Sequence, residues 1–307
     1  MILGVEIGGT KLQLVLGDSL ANILDRRRLA VNPALGADGI RDQIKRALPE
    51  LAGGQKLSSV GVGFGGPVDW RSGKIARSHQ IEGWSGFDLG GWLNALTGAP
   101  VSVDNDANVA ALGEATQGAG AGFDPVFYAT LGSGVGGGLV LGGRIYHGAT
   151  PGESELGHVR LDREGTTLES RCCGWAVDAR IRELNGRKPD GLLARLTAGS
   201  AGGEASHLTA ALQQCDADAR SILNETAADL AYGLSHVVHL FHPAVIVLGG
   251  GLAKVGEPLR AAVEAALTPL LMAVFQPGPP VRLTTLGEDA VPIGALLLAM
   301  PAHRNQI

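Results

Sequence analysis

The sequence predicts an α/β protein with two domains, and three observations carry that prediction. Short runs rich in Ile, Leu and Val come first in the order strand, strand, strand, helix, strand, an α/β succession. A strand–glycine turn–strand unit occurs twice, in VEIGGTKLQLVL and in YATLGSGVGGGLVL. The chain has 307 residues, 45% of them hydrophobic, which is enough for two cores.

Taken in order, ILGVEIGG and KLQLVLGD are separated by Gly-Gly-Thr and read as a β-hairpin, to which NILDRRRLAV adds a third strand. GADGIRDQIKRALPEL places Ile40, Ile44, Ala47 and Leu48 on one helical face. SSVGVGFGG is a short buried strand ending in glycines. FDLGGWLNALTG is a helix, PVSVDND a strand, and the Ala-rich ANVAALGEATQG a second helix. VFYATLGSGVGGGLVLGGRIY is the second hairpin. The chain is then mainly helical from roughly Gly174 to His242. AVIVLGGGL is a buried strand, a helix runs from about Glu257 to Met272, and VPIGALLLAM closes the chain as a helix. No short-period repeat is present.

Composition excludes several classes. The net charge of −5 gives no electrostatic basis for binding nucleic acid or an anionic membrane. The 47 glycines gather at the ends of apolar runs, which indicates turns that approach a ligand closely rather than disorder. Three cysteines, Cys172, Cys173 and Cys215, suit a reducing compartment and make no disulfide framework. The first apolar run is broken by Glu6 and has no basic flank, so it does not read as a signal peptide; a soluble, cytoplasmic protein is expected.

Five segments carry candidate chemistry. The two glycine turns are either plain hairpins with type I′ geometry or backbone cradles for an anion, with Thr10 and Lys11 adding a hydroxyl and a charge to the first. Asp104, Asn105 and Asp106 stand where a strand meets a helix. One of them as an N-cap leaves two unexplained, and a carboxylate there can accept a proton from a substrate hydroxyl. HGATPGESELGH gathers Glu153, Glu155 and His158 in a glycine-bounded stretch, either a solvated loop or a set of partners for sugar hydroxyls. Gly249, Gly250 and Gly251 end a buried strand, more glycine than a turn needs, at the strand end where open α/β sheets bind ligands.

In this order the motifs VEIGGTK, GVGFGGPVD, VDNDANVAALGE, TLGSGVGGGLVLGGRIYHGATPGESELGH, VIVLGGGL and GEDAVPIGALLLA resemble the ROK sugar kinases, within the actin-like/hexokinase ATPase fold, over nearly the whole chain. The resemblance implies two actin-like (ribonuclease H-like) α/β domains around a central cleft, residues 1–118 with 290–307 and residues 119–289. It implies an ATP- and Mg2+-dependent hexose kinase, glucokinase-like, with Asp106 as general base. Gly65, Gln80, Asn105, Glu155, His158 and Glu169 would hold the sugar. Gly8, Gly9, Thr10, Lys11, Gly132, Ser133 and Gly134 would face the phosphates, and Gly250 and Gly251 the adenosine. A homodimer is the family expectation.

The sequence also departs from the family pattern. Glu6 stands where many members have Asp, and would contact magnesium through water. Gln80 stands in the Asn position of the sugar-side segment. The zinc-binding cysteine motif of many members is incomplete in GHVRLDREGTTLESRCCGWAVDARI. Either Cys173-Gly174 keeps a remnant of it, or LES aligns with the end of the motif and Glu169 takes the sugar-contacting Glu position. The second register also aligns the helix WAVDARI and is preferred. Neither register completes a four-ligand site, so no structural zinc is expected, and Cys172 and Cys173 are expected to be buried small residues. Kinases for fructose, N-acetylglucosamine or N-acetylmannosamine are the alternatives within the class, and a non-catalytic sugar-binding regulatory protein the alternative outside it. A DNA-binding repressor is disfavoured by the charge and by the first phosphate loop lying within ten residues of Met1.

Overall fold

The computed structural model describes residues 1–78, 81–150, 152 and 154–304, the last by its backbone alone. The chain divides into two compact α/β units. One comprises Met1–Gly122, Gly138–Ser154 and Glu288–Ile307, the other Phe123–Gly137 and Glu155–Gly287. The division differs from the expected one at residues 118 and 290. The first unit runs on to Gly122, resumes at Glu288, and also takes back Gly138–Ser154. That return has a packing reason: a Cβ on Gly138 would lie 2.7 Å from the Ala107 carbonyl oxygen, so this stretch rests directly on a helix of the first unit.

In the first unit, β1 (Ile2–Ile7) and β2 (Lys11–Gly17) form the expected hairpin with Ile7 opposite Leu12, and β3 (Ile23–Ala30) extends it. Helix α1 (Gly36–Ala52) buries Ile40, Ile44, Ala47 and Leu48, the face its periodicity marks. Strand β4 (Ser59–Phe64) is buried along its whole length because it pairs in parallel on both sides. A ribbon of β5 (Val68–Asp69) and β6 (Lys74–Ile75) precedes α2 (Leu89–Thr97), whose first turn is capped by Asp88. Strand β7 (Val101–Asn105) then runs straight into α3 (Asp106–Gln117). The sheet order is β3-β2-β1-β4-β7.

The second sheet has the order β10-β9-β8-β11-β12. Strands β8 (Val126–Leu131) and β9 (Val135–Leu141) flank the second glycine turn, and β10 (Arg144–Ile145) pairs antiparallel to β9. The helical stretch consists of α4 (Leu168–Cys172), α5 (Gly174–Arg187), α6 (Leu192–Leu196), α7 (Leu208–Gln213) and α8 (Ala217–Phe241). Strand β11 (Val245–Gly249) lies parallel to β8 and is wholly buried. Helix α9 (Glu257–Leu267) is shorter than expected. A 3-10 turn over Thr268–Leu270 follows it, where Pro269 has no N–H to donate. Strand β12 (Val281–Leu283) completes this sheet.

The closing helix α10 (Ala290–Leu298) belongs to the first unit and packs on α3, β1 and β4. Its sequence is apolar on nearly all sides, as burial requires. Backbone meets backbone at two glycines. A Cβ on Gly61 would fall 1.9 Å from the Ala295 carbonyl oxygen, and one on Gly294 1.8 Å from that of Val109. No helix among the described residues is long and apolar enough to cross a membrane.

Candidate active site

The polar triplet at the β7–α3 junction divides into three jobs. Asn105 is the N-cap: its Oδ1 accepts from the N–H groups of Ala107 at 2.8 Å and Asn108 at 3.3 Å, and its Nδ2 donates to the Gly66 carbonyl at 3.2 Å. Asp104 is buried at 2% exposure. Its Oδ1 accepts from the Asn105 N–H at 2.8 Å and Asn108 Nδ2 at 3.0 Å, and its Oδ2 lies 2.6 Å from His147 Nε2. Asp106 is the first helical residue and only half-buried, so its carboxylate sits at the positive end of the α3 dipole.

Gly65 joins this carboxylate to the first glycine turn. From the place a Cβ would occupy on Gly65, Asp106 Oδ2 is 3.4 Å away, the Gly8 Cα 3.6 Å and the Ile7 carbonyl oxygen 3.3 Å. The turn itself is closed by a hydrogen bond from the Gly8 N–H to the Lys11 carbonyl at 2.9 Å. Neither Gly9 nor Thr10 takes the positive φ of a type I′ turn, so the hairpin turn is of another type. Thr10 is exposed at the tip. Lys11 Nζ lies 3.0 Å from Glu6 Oε1, and Gln13 Nε2 donates to Glu6 Oε2 at 2.6 Å. Burial raises the proton affinity of Glu6 above the usual carboxylate range, against the opposing pull of Lys11 and Gln13. Gln13 is fully buried and is in turn held by Arg28 Nε at 2.7 Å.

In the second unit the other candidates gather around the second glycine turn. The Gly132 N–H donates to the Gly134 carbonyl at 2.9 Å, and Ser133 is exposed at the tip. Glu169, in the first turn of α4, accepts from the Val135 N–H at 2.8 Å, and its Oε2 would lie 2.5 Å from a Cβ on Gly134. The short turn Leu156–His158 packs on the same place, since a Cβ on Gly157 would meet the Val135 carbonyl oxygen at 2.3 Å and the Glu169 Cβ at 3.3 Å. Glu155 and His158 are exposed there, with His158 Nε2 3.9 Å from Glu155 Oε2. Gly250 has φ of 82°, and a Cβ on it would lie 2.6 Å from the Leu131 backbone, so the fold itself demands glycine. Gly251 is helical at φ −62° with open space where a side chain would stand. Nothing in the protein requires glycine there.

The structure thus brings Gly8, Gly65 and Asp106 together in one unit, and Gly134, Glu155, His158 and Glu169 in the other. Gln80 and Glu153 lie outside the described residues. Among the described residues no three His, Cys, Asp or Glu side chains form a metal-binding group. Cys172 and Cys173 are buried as expected, and burial pushes the Cys172 thiol up to about 12. Sequence reasoning missed His147, whose ring stacks on Trp70 with centroids 4.2 Å apart. A single His before a glycine carries no pattern. The available signal was Asp104, the acidic residue of the triplet that neither capping nor proton transfer explained.

The ROK family profile matches residues 2–302. A glucokinase of Halalkalibacterium halodurans is 32% identical over 95% of this chain and 92% of its own length. A Thermotoga maritima glucokinase is 29% identical over 96% and 95%. Among solved structures, a ROK family glucokinase from Streptomyces griseus in complex with glucose and AMPPNP superposes with a TM-score of 0.85 at 31% identity, covering 97% of this chain and 98% of that one.

Proposed function

The chain belongs to the ROK family, and from that premise we propose glucose as the acceptor of its ATP-dependent hexose phosphorylation, with Asp106 as the general base. The protein is an ATP-dependent sugar kinase, as its full-length likeness to glucokinases establishes. The observation that carries the catalytic assignment is the placement of the Asp106 carboxylate across Gly65 from the first glycine turn. A base there accepts the proton of a sugar hydroxyl while backbone N–H groups of the turn hold phosphate oxygens.

Asn105 supports this arrangement by fixing the first turn of α3, and the second Nδ2 hydrogen remains for a sugar hydroxyl. Glu155, His158 and Glu169 supply further acceptors and donors for the sugar. Gly132, Ser133 and Gly134 face the phosphates, and Gly250 and Gly251 the adenosine. Gly251 supports the last assignment, because its open side admits a flat ligand.

Magnesium fits the residues present. It is bound through one or two carboxylates, substrate phosphates and waters rather than by an all-protein cage. Glu6 offers one carboxylate beside the first turn, with Lys11 and Gln13 each occupying one oxygen and leaving lone pairs for water. When bound, Mg2+ supplies positive charge to the transferred phosphoryl group. Lys11, on the same turn, offers a second positive charge for the phosphates.

The test is product identification. Glucose, ATP and Mg2+ incubated with the protein should give a new phosphate-monoester signal and ADP in 31P NMR. An ester formed from another hexose, with glucose inert, overturns the choice of acceptor.

A further inference from the structure

We propose that Asp104 and His147 form a buried clamp that positions the sugar-binding segment and the base. The inference rests on the kinase reading above, but the two residues touch neither substrate in it. Asp104 is a hub with three partners. Its carboxylate holds the backbone of Asn105, the side chain of Asn108 on α3, and the ring of His147, the last at 2.6 Å. Both side chains of the pair are nearly fully buried, at 2% and 6% exposure. A buried carboxylate is strongly unfavourable unless paired, so the bond to His147 is a condition of the local fold.

The ring is fixed from a second side. It lies nearly parallel to Trp70, with 16° between the planes. Arg71 lies over that tryptophan, 4.7 Å from its ring centroid, and donates to Thr150 Oγ1 at 2.7 Å. Asn108 Nδ2 also donates to the Gly152 carbonyl at 3.2 Å. Three separate contacts, at His147, Thr150 and Gly152, therefore tie one stretch of chain to β7, α3 and the β5–β6 ribbon. Glycines at 148 and 152, both with positive φ, leave that stretch little local stiffness of its own.

The stretch runs into Glu155 and His158, where the chain enters the second unit. The same Asp104 carboxylate fixes the N–H of Asn105, the residue next to the base. One buried hydrogen-bonded pair thereby holds both the stretch that leads to the sugar-binding segment and the start of α3. Asp104 and His147 act through other residues and are positioning residues, not catalytic ones.

The clamp is tested with His147→Ala, His147→Gln and Trp70→Phe, in the full chain. A glutamine amide reaches about as far as the imidazole Nε2 and can donate to Asp104. Hydrogen exchange reads the clamp independently of activity. In His147→Ala the amides of Tyr146 and Gly152, which donate to the Leu139 and Ala149 carbonyls, should exchange at least about tenfold faster, with the interior of α3 unchanged. In the kinase assay the same variant should raise the KM for glucose about tenfold or more, while the KM for ATP moves less than about twofold. His147→Gln should recover most of both effects, and Trp70→Phe, which keeps a stacking ring, should stay near wild type. Unchanged exchange in His147→Ala overturns the clamp whether or not glucose is the substrate. Faster exchange with an unchanged glucose KM, or a glutamine variant no better than alanine, overturns its positioning role. If His147→Ala does not fold, the glutamine variant decides alone: wild-type exchange and KM support the clamp, alanine-like lability refutes it.

Discussion

Two glycines on one strand separate the demands of the fold from those of the site. Gly61 and Gly65 lie at the middle and just past the end of β4. A Cβ on Gly61 would sit 1.9 Å from the Ala295 carbonyl oxygen, well over 1 Å inside van der Waals contact. The atom it strikes is helix backbone, so α10 must move away from β4. Overpacking of this kind costs about 1–3 kcal/mol. At roughly 2–4 °C per kcal/mol for a chain somewhat smaller than this one, Gly61→Ala should lower Tm by several degrees. A Cβ on Gly65 meets the Ile7 oxygen at 3.3 Å and Asp106 Oδ2 at 3.4 Å, contacts that yield with shifts of a few tenths of an ångström. Its φ is not positive, so Ala also gains about 0.4–1 kcal/mol from a less flexible unfolded chain. Gly65→Ala should therefore hold Tm within about 2 °C of wild type. It narrows the space beside the base, where small misplacements cost large factors in rate, and kcat should fall about ten- to a hundredfold. Calorimetry and steady-state kinetics on the two variants check both halves. A Gly65→Ala enzyme with wild-type kcat, or one as unstable as Gly61→Ala, would refute the reasoning.

The other predictions concern separate parts of the molecule. Glu169→Ala should raise the glucose dissociation constant about tenfold in titration calorimetry, the worth of one hydrogen bond to a charged group; an unchanged value would show that the alternative alignment of the incomplete cysteine motif is the right one. Chelation followed by return of Mg2+ should leave activity and Tm unaltered, and elemental analysis should find no stoichiometric zinc; a loss of Tm on chelation would contradict this. At pH 8 the folded protein should show one thiol that alkylates quickly, Cys215, because Cys172 and Cys173 are buried and the Cys172 thiol is pushed up to about 12. Three fast thiols in the folded state would contradict the burial.

Much of the architecture was legible because it rests on local pattern. The hairpins, the face of α1 and the wholly buried β11 follow from alternation, period and apolar runs. Asp106 stood out as a candidate because three polar residues at a strand–helix junction exceed what capping explains, and its carboxylate lies beside Gly65. The clamp was not, because His147 meets Asp104 only through the tertiary path of the chain, and neither residue has a spacing that marks it. Nor was the membership of Gly138–Ser154 in the first unit. Sequence reading followed β9 as one hairpin arm, whereas its later half is claimed by the close packing of Gly138 on α3. Helix α9 ends at Leu267, short of the expected Met272, where Pro269 in the following turn has no N–H to donate.

The most direct test is a coupled ADP-release assay with ATP, Mg2+ and a panel of hexoses and N-acetylhexosamines, run on wild type beside Asp106→Asn. The account predicts turnover dependent on glucose in the wild type. In the variant, turnover should fall by orders of magnitude while glucose affinity stays close to wild type. Turnover that survives in Asp106→Asn, or affinity and turnover lost in equal measure, would contradict the role of Asp106 as the base.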